Sequence, residues 1–306
     1  MSFGFDLASV DGNKPPHWAD VIQTGASFIW YRASFAYFDP SNKAWVCQGD
    51  VVMHRDWGTV PSKLVRGAYM FPVLEATQSP EEQVGVYFNS VKNVGGLKPG
   101  VDFPPALDVE FPGGIARTGL DRAGVIAWLR RAVAEIKRVF GCLPVIYTSG
   151  RVWNDSDADC LGNPAAPDLV NCPLWLARYP YKTRIQAILP PPSGLISPPV
   201  PTPWALDSSF WVHQYQGDAL ATPGFTATVD LNKFNVLSPG DHDPRAKWVK
   251  RKLTPFPSGL FGTPMDVTSD KYDLDTVHNV KLLQMIHDLA QDGIIGPRTF
   301  AVLAWI

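Results

Sequence analysis

Metal-ligand signatures are missing from this chain of 306 residues. Its six histidines are scattered, with no H-E-x-x-H pair, and Cys47, Cys142, Cys160 and Cys172 show no C-x-x-C spacing. That excludes a zinc ribbon and disfavours a zinc amidase or peptidase. Cys142 opens an apolar strand and reads as a buried thiol. Cys160 and Cys172 share one loop, and spacing alone leaves their pairing open. No glycine-rich phosphate loop follows the first apolar strand, which argues against a nucleotide-binding doubly wound sheet. No apolar run approaches the length of a membrane span, so no membrane insertion is expected. Met1-Ser2-Phe3-Gly4-Phe5-Asp6 carries no basic leader ahead of an apolar core; the chain reads as made in the cytoplasm without a signal peptide. Charge of one sign is also lacking: the net value of −2 gives no argument for nucleic acid as a partner.

What is present is ordinary in bulk and patterned in detail. Hydrophobic residues make up 45% and charged residues 18%, as in a soluble globular protein long enough for one barrel-sized domain and a small second one. Apolar strands are expected over 3–8, 27–35, 65–72, 104–110, 143–149, 174–179, 210–216 and 226–234. Helices are expected between the earlier ones. Ser79-Pro80 with Glu82 reads as a helix start closed by a capping box. Residues 120–140 carry an apolar stripe, Val125, Leu129, Ala132, Val133, Ile136 and Phe140, at helical spacing. The last three strands lack regular crossover helices, and the proline-dense stretch 189–203 reads as an extended surface excursion. The fold class that follows is α/β, an irregular β/α barrel, with a small C-terminal α-helical domain.

One stretch carries a chemical suggestion. Pro104-Pro105-Ala106-Leu107-Asp108-Val109-Glu110 is a short apolar strand ending in two acids at i and i+2. Such side chains point the same way, about 6.6 Å apart along the strand. They would stand at the carboxyl end, where α/β barrels place their chemistry. Two neighbouring carboxylates resist ionising together, and a proton donor beside an anion is what cleavage of a glycosidic bond uses. Taken alone, the same residues are also explained by an acidic strand end facing solvent.

The ordered series FDLASVDG, RGAYMF, PALDVE, PVIYTS, LWLARY, WVHQY and VDLNKF, spanning residues 3–238, resembles glycoside hydrolase family 25. These are lysozymes (N-acetylmuramidases) that cut bacterial peptidoglycan, many of them from bacteriophages. The resemblance implies a barrel of five regular βα units plus three further strands. It implies Glu110 as the general acid, with Asp108 assisting the substrate's 2-acetamido group so that configuration is retained. Asp6 and Asp230 match the family's other two acids. First and last strands are neighbours in a closed barrel, so four acids would converge at one mouth. Tyr69, Tyr147, Trp175, Tyr179 and Gln214 lie near strand ends in matching motifs, with aromatic faces and an amide suited to sugars. No cofactor and no metal are expected. The partner would be peptidoglycan glycan strands, met by a monomer acting on the cell wall after release, as in phage lysis. Departures are Arg32 where the family often has lysine, the additional His213 in WVHQY, and the proline-rich loop. Two rival readings are another N-acetylglycan hydrolase, of chitinase or endo-glucosaminidase type, and a non-catalytic wall-binding protein.

After residue 240 the chain changes character. Arg245, Lys247, Lys250, Arg251 and Lys252, followed by Pro255, Pro257, Gly259 and Gly262, read as a linker over 241–264. Residues 274–290 read as a helix, and DGIIGPRTFAVL resembles the closing turn and last helix of the peptidoglycan-binding-domain family. Residues 265–306 are thus expected to form a wall-binding helical module, with a helical hairpin packed on the barrel as the alternative.

Overall fold

The computed structural model describes residues 2–111, 114–155, 157, 160–162, 164, 166–181, 184–195, 197–205, 209–255 and 265–306. Among them, nine strands form one sheet: β1 (Ser2–Leu7), β2 (Phe28–Asp39), β3 (Ala44–Gly49), β4 (Val65–Phe71), β5 (Ala106–Asp108), β6 (Val145–Ser149), β7 (Leu174–Ala177), β8 (Phe210–Ala219) and β9 (Val229–Phe234). Eight of them run in the order β1-β9-β8-β7-β6-β5-β4-β2, and a parallel pairing of β1 with β2 closes the ring. The expected irregular barrel is therefore observed, and an open doubly wound sheet is ruled out. Two features differ from the sequence reading. β9 is antiparallel to both β8 and β1, because the connection from 220 to 228 is too short for the crossover that a parallel return needs. β3 is an additional strand, hairpinned onto the far end of β2 through a turn in which Asp39 accepts from the backbone of Ser41.

Helices α1 (Trp18–Gln23), α2 (Val51–Asp56), α3 (Pro80–Asn93), α4 (Arg122–Phe140) and α5 (Gly150–Asn154) cover the barrel wall. Ser79 caps α3 by accepting from the Glu82 amide. The reciprocal half of the expected box is replaced by a bond from the Ser79 hydroxyl to Glu81. Asp121 caps α4, and Gly141, at φ 84°, ends it in the left-handed turn that favours glycine. The apolar stripe of α4 faces inward as expected, against alternate strand residues such as Leu107, Ile146 and Leu176.

The barrel interior is filled by aromatic rings stacked end to end. Trp175 lies 5.1 Å from Trp30, Trp30 stacks on Phe103 at 4.9 Å, and Phe103 meets Phe300 at 5.9 Å. Gly67 makes room for this column, since a Cβ there would stand 2.3 Å from the Trp30 ring. Gly67→Ala is expected to destabilise the protein by about 1–3 kcal/mol through overpacking. Equilibrium urea unfolding measures it, and an unchanged midpoint would show that Trp30 can yield.

Phe300 belongs to the C-terminal region, where the structure corrects the sequence reading. Residues 245–253, expected within a linker, form helix α6 (Arg245–Leu253). Its apolar residues Ala246, Val249 and Leu253 recur at i, i+3 and i+7 and are buried with Trp248. Lys250 is fully buried, its ammonium donating to Asp273 at 2.9 Å. The further linker residues Pro257, Gly259 and Gly262 lie outside the described residues. Helices α7 (Leu274–Ile286) and α8 (Pro297–Trp305) follow. Together α6, α7 and α8 close the amino-terminal end of the barrel, sharing one core with its interior. Phe300 packs on Phe103, Phe234, Trp211 and Trp248, and the Trp305 indole donates to the Asp102 carbonyl at 2.8 Å.

All four cysteines are free thiols, Cys160 and Cys172 included. The proline-rich stretch is irregular and runs along the surface as expected, with Pro190, Ser193, Gly194 and Ser197 exposed, but it is anchored at intervals. Pro191, Leu195 and Pro198 are buried. Trp204, just beyond it, rests against Trp153 and donates to the Cys172 carbonyl.

Candidate active site

The carboxyl ends of the parallel strands surround a cavity of about 280 Å³. Glu110, Asp108, Asp6, Asp230, Tyr69, Tyr147, Trp175, Tyr179 and Gln214 all line it. The register explains the convergence. Asp6 on β1 stands directly opposite Asp230 on β9, and residues paired in this way point to the same side of the sheet. Like charges so placed are unfavourable unless something bridges them. Gln214 does so: its amide nitrogen donates to Asp6 at 2.9 Å and to Asp230 at 3.1 Å. Its orientation is fixed from the other end, where the Tyr147 and Tyr179 hydroxyls both donate to the amide oxygen.

Asn232, two residues after Asp230 on the same face of β9, donates to Asp6 at 2.6 Å and accepts from the Trp175 indole at 2.7 Å. The second Asp230 oxygen accepts from the Asp218 amide at 2.7 Å. Two acids are therefore held in a continuous network of amides, phenols and an indole.

The other two acids are left freer. Asp108 ends β5 level with Tyr147 of β6. It is 7% exposed, and its Oδ1 has no hydrogen-bond partner among the described residues. Buried carboxylate oxygens are rarely left unpaired, which sets Asp108 apart from Asp6 and Asp230. Glu110 lies just past the strand end and is half-buried. Its position is set from behind by Val109, whose amide donates to the Tyr147 carbonyl and whose carbonyl accepts from the Thr148 hydroxyl.

Positive charge in the cavity wall is already matched. Arg32 donates to Asp50 at 2.8 Å and to the Ser9 hydroxyl, and Asp50 also caps α2. The acids hold protons more tightly than usual because they are buried, although Arg32 lowers Asp108 and Asp11 somewhat. Burial raises Asp108 well above the ordinary range, and the nearby Glu110 and Asp6 add to it. Asp230 is raised well above it by burial and then by Asp6. Burial also raises Glu110, opposed by the Tyr147 hydroxyl. Asp6 is pushed up to about 7 by burial, against the lowering effect of Asn232 and Gln214. Asp11, a cavity residue that the sequence reading passed over, is pushed up to about 6, again by burial. The arrangement sets Glu110 beside Asp108 on one cavity, two acids that burial makes reluctant to ionise.

A stability prediction follows for Asp6. It titrates near 3.8 in the unfolded chain and at about 7 in the fold. Between those values the native state binds more protons than the unfolded one, so stability falls as pH rises from about 4 to 7. Asp6→Asn keeps an acceptor for Gln214 and Asn232 but cannot titrate. The wild type should therefore gain stability relative to this variant as pH is lowered from 7 to 5. Parallel pH profiles of the two proteins would refute the shift.

Arg32, Asp218 and Asn232 also belong to the site, and only Arg32 drew notice in the sequence, as a departure. Asn232 was recoverable, since VDLN places it at i+2 from Asp230. His213 has no part in the cavity: its ring bonds to the Arg178 carbonyl at 3.0 Å, and burial pushes it down to about 4.

The family model described as glycosyl hydrolases family 25 matches residues 5–222. A second model, for a peptidoglycan binding domain, matches residues 242–303 and takes in α6 as well as α7 and α8. No curated protein matches the chain. Among solved structures, a muramidase from Acremonium alcalophilum is 26% identical with a TM-score of 0.55, over 77% of this chain and 94% of that one. A bacterial lysozyme from Streptomyces coelicolor (24% identity, TM-score 0.55, 76% and 92% covered) and a family GH25 lysozyme from Aspergillus fumigatus (24%, 0.54, 76% and 93%) share the fold.

Proposed function

The chain belongs to glycosyl hydrolase family 25, and from that premise we propose that it is a lysozyme of endolysin type. It would cut the β-1,4 bond between N-acetylmuramic acid and N-acetylglucosamine in bacterial peptidoglycan. The observation that carries the chemistry is the pair at the end of β5: Glu110 lining the cavity, half-buried and with its pKa raised by burial, beside Asp108 with an unpartnered buried oxygen. Burial raises both, and the charge of Glu110 raises Asp108 further, so the two resist ionising together.

In this reading Glu110 gives a proton to the glycosidic oxygen as the bond to C1 breaks. The carbonyl oxygen of the substrate's own 2-acetamido group attacks C1, and positive charge develops on the amide. Asp108 accepts a hydrogen bond from the amide N–H and, as the anion, stabilises that charge. Water then opens the cyclic intermediate, giving a proton back to Glu110, and configuration at C1 is retained. Asp6, Asp230 and Gln214 keep the floor of the site rigid, while Tyr69, Tyr147, Trp175 and Tyr179 line the cavity that takes the sugar.

Residues 1–240 would form the muramidase barrel and residues 265–306, joined by α6 in place of a plain linker, the wall-binding part. The protein would act as a monomer on the cell wall after release, as a bacteriophage lysis enzyme does. No helix among the described residues is long and apolar enough to cross a membrane. The deciding experiment is mass spectrometry of digested sacculi, with NMR of the first-released anomer. New reducing ends on N-acetylmuramic acid in the β configuration are expected. Reducing N-acetylglucosamine would make the protein a glucosaminidase, and an α product would require a base acting on water.

A further inference from the structure

Glu110 does not border one cavity alone. On the side of the β2–β3 hairpin it also lines a second space of about 410 Å³, walled by Ala36, Phe38, Trp45, Phe71 and Phe111, with Arg117 on its margin. The hairpin builds this wall because Phe38 and Trp45 are paired directly opposite each other, with Ala36 two residues back on the same face. Phe38 is 50% exposed, and its ring meets Trp45 edge-on at 5.7 Å. An aromatic pair left in water beside a cavity is unfavourable for the isolated fold and suited to an apolar ligand.

The polar inventory of this space is short. Glu110 belongs to the proposed chemistry. The Thr118 hydroxyl is turned to the Ile115 carbonyl. Among the described residues, the side chains that remain for a ligand are the Trp45 indole and the exposed Arg117 guanidinium. A pyranose, with hydroxyls around its rim, would leave most of them without partners here. A substituent rich in methyl groups and carrying one carboxylate matches better: apolar walls for the methyls, a guanidinium fork for the acid. The volume lies within the roughly 300–1,000 Å³ typical of small-molecule sites, more than a lone lactyl group needs.

We propose that the cavity between the β2–β3 hairpin and Arg117 is a subsite for the stem peptide carried on the lactyl ether of N-acetylmuramic acid, with Arg117 binding a peptide carboxylate and Phe38 and Trp45 packing on its methyl groups. The proposal rests on the muramidase reading and deepens it. Both spaces are lined by Glu110 and Phe71, so a substituent on a sugar held in the acidic cavity has the second space beside it.

Binding of single-sugar ligands to the full chain separates the two ideas, because such ligands contain no bond to cut. N-acetylmuramyl dipeptide, N-acetylmuramic acid and N-acetylglucosamine are titrated by NMR. The dipeptide form should bind about tenfold or more tightly than N-acetylmuramic acid. Arg117→Ala and Phe38→Ala should each erase most of that difference, and Arg117→Glu all of it. These side chains are exposed, and thermal unfolding checks that each variant folds. Equal affinity for the two muramyl ligands overturns the proposal. So does an Arg117→Ala loss shared by all three sugars, which marks a diffuse charge effect. A loss confined to N-acetylmuramic acid also overturns it, since the free lactyl carboxylate would then be what Arg117 holds. Failure to cut sacculi at muramic acid would sink the muramidase reading, while the titration still decides whether the peptide is bound.

Discussion

Glu110→Gln is expected to fold, to bind glycan and to lose turnover by about 10²–10⁴, the usual worth of a positioned general acid. The amide keeps the shape and reach of the side chain, and the backbone anchors of Val109 are untouched, so position is preserved while the transferable proton is gone. The loss should fall on kcat with little change in KM, because proton transfer to the leaving oxygen matters only in the transition state. Asp108→Asn should also be severe, since a neutral amide cannot support charge developing on the acetamido group. Its Oδ1 has no partner to lose, so that variant should fold without a stability penalty. The checking measurement is steady-state hydrolysis of a soluble glycan fragment, with binding followed separately. Near-normal turnover of Glu110→Gln would remove this acid from the mechanism and, with it, the pairing with Asp108.

β1, β5, β8 and β9 were legible in the sequence as short apolar runs bounded by turn residues. The acids on those strands stood out against that background. The spacing of Asp108 and Glu110, and the helical stripe of α4, needed only local geometry. The β2–β3 hairpin was harder, since Tyr37 and Phe38 face solvent at 38% and 50% exposure and do not alternate with burial as a core strand would. Helix α6 was hidden by its charge. Lysine normally faces water, so a run containing Lys250 reads as solvated; here the ammonium donates to Asp273, 23 residues on, inside the fold. The bridging role of Gln214 was not legible either. It depends on Asp6 and Asp230 being level with each other, a matter of register between strands at opposite ends of the barrel sequence.

Truncation after Gly240 is expected to cost the barrel most of its stability, although a separate module joined by a linker would be removable. The reason is the shared core at the barrel's amino-terminal end. Phe103, Phe234 and Trp211 are strand or pre-strand residues of the barrel, each at most 1% exposed, and each packs on Phe300. Uncovering an apolar side chain of this size forfeits about 1.5–3 kcal/mol. Three of them therefore amount to a large part of the 5–15 kcal/mol by which a domain is typically stable. Loss of the Trp305 bond to the Asp102 carbonyl and of the Arg298 bonds to the Ser62 and Lys63 carbonyls adds to this. Phe300→Ala tests the same contact without deleting the module, and should cost about 3–5 kcal/mol by opening a cavity at the end of the aromatic column. Urea unfolding of the full chain, the truncated chain and Phe300→Ala measures both effects. A truncated barrel with the full chain's midpoint would show that the helices only rest on it. The distinction bears on how wall binding is assigned. Tethering raises activity on sacculi by raising local concentration and leaves soluble fragments cut as before, whereas loss of the barrel floor lowers both together. A truncation that loses sacculus activity is evidence for wall binding only where hydrolysis of the soluble fragment survives.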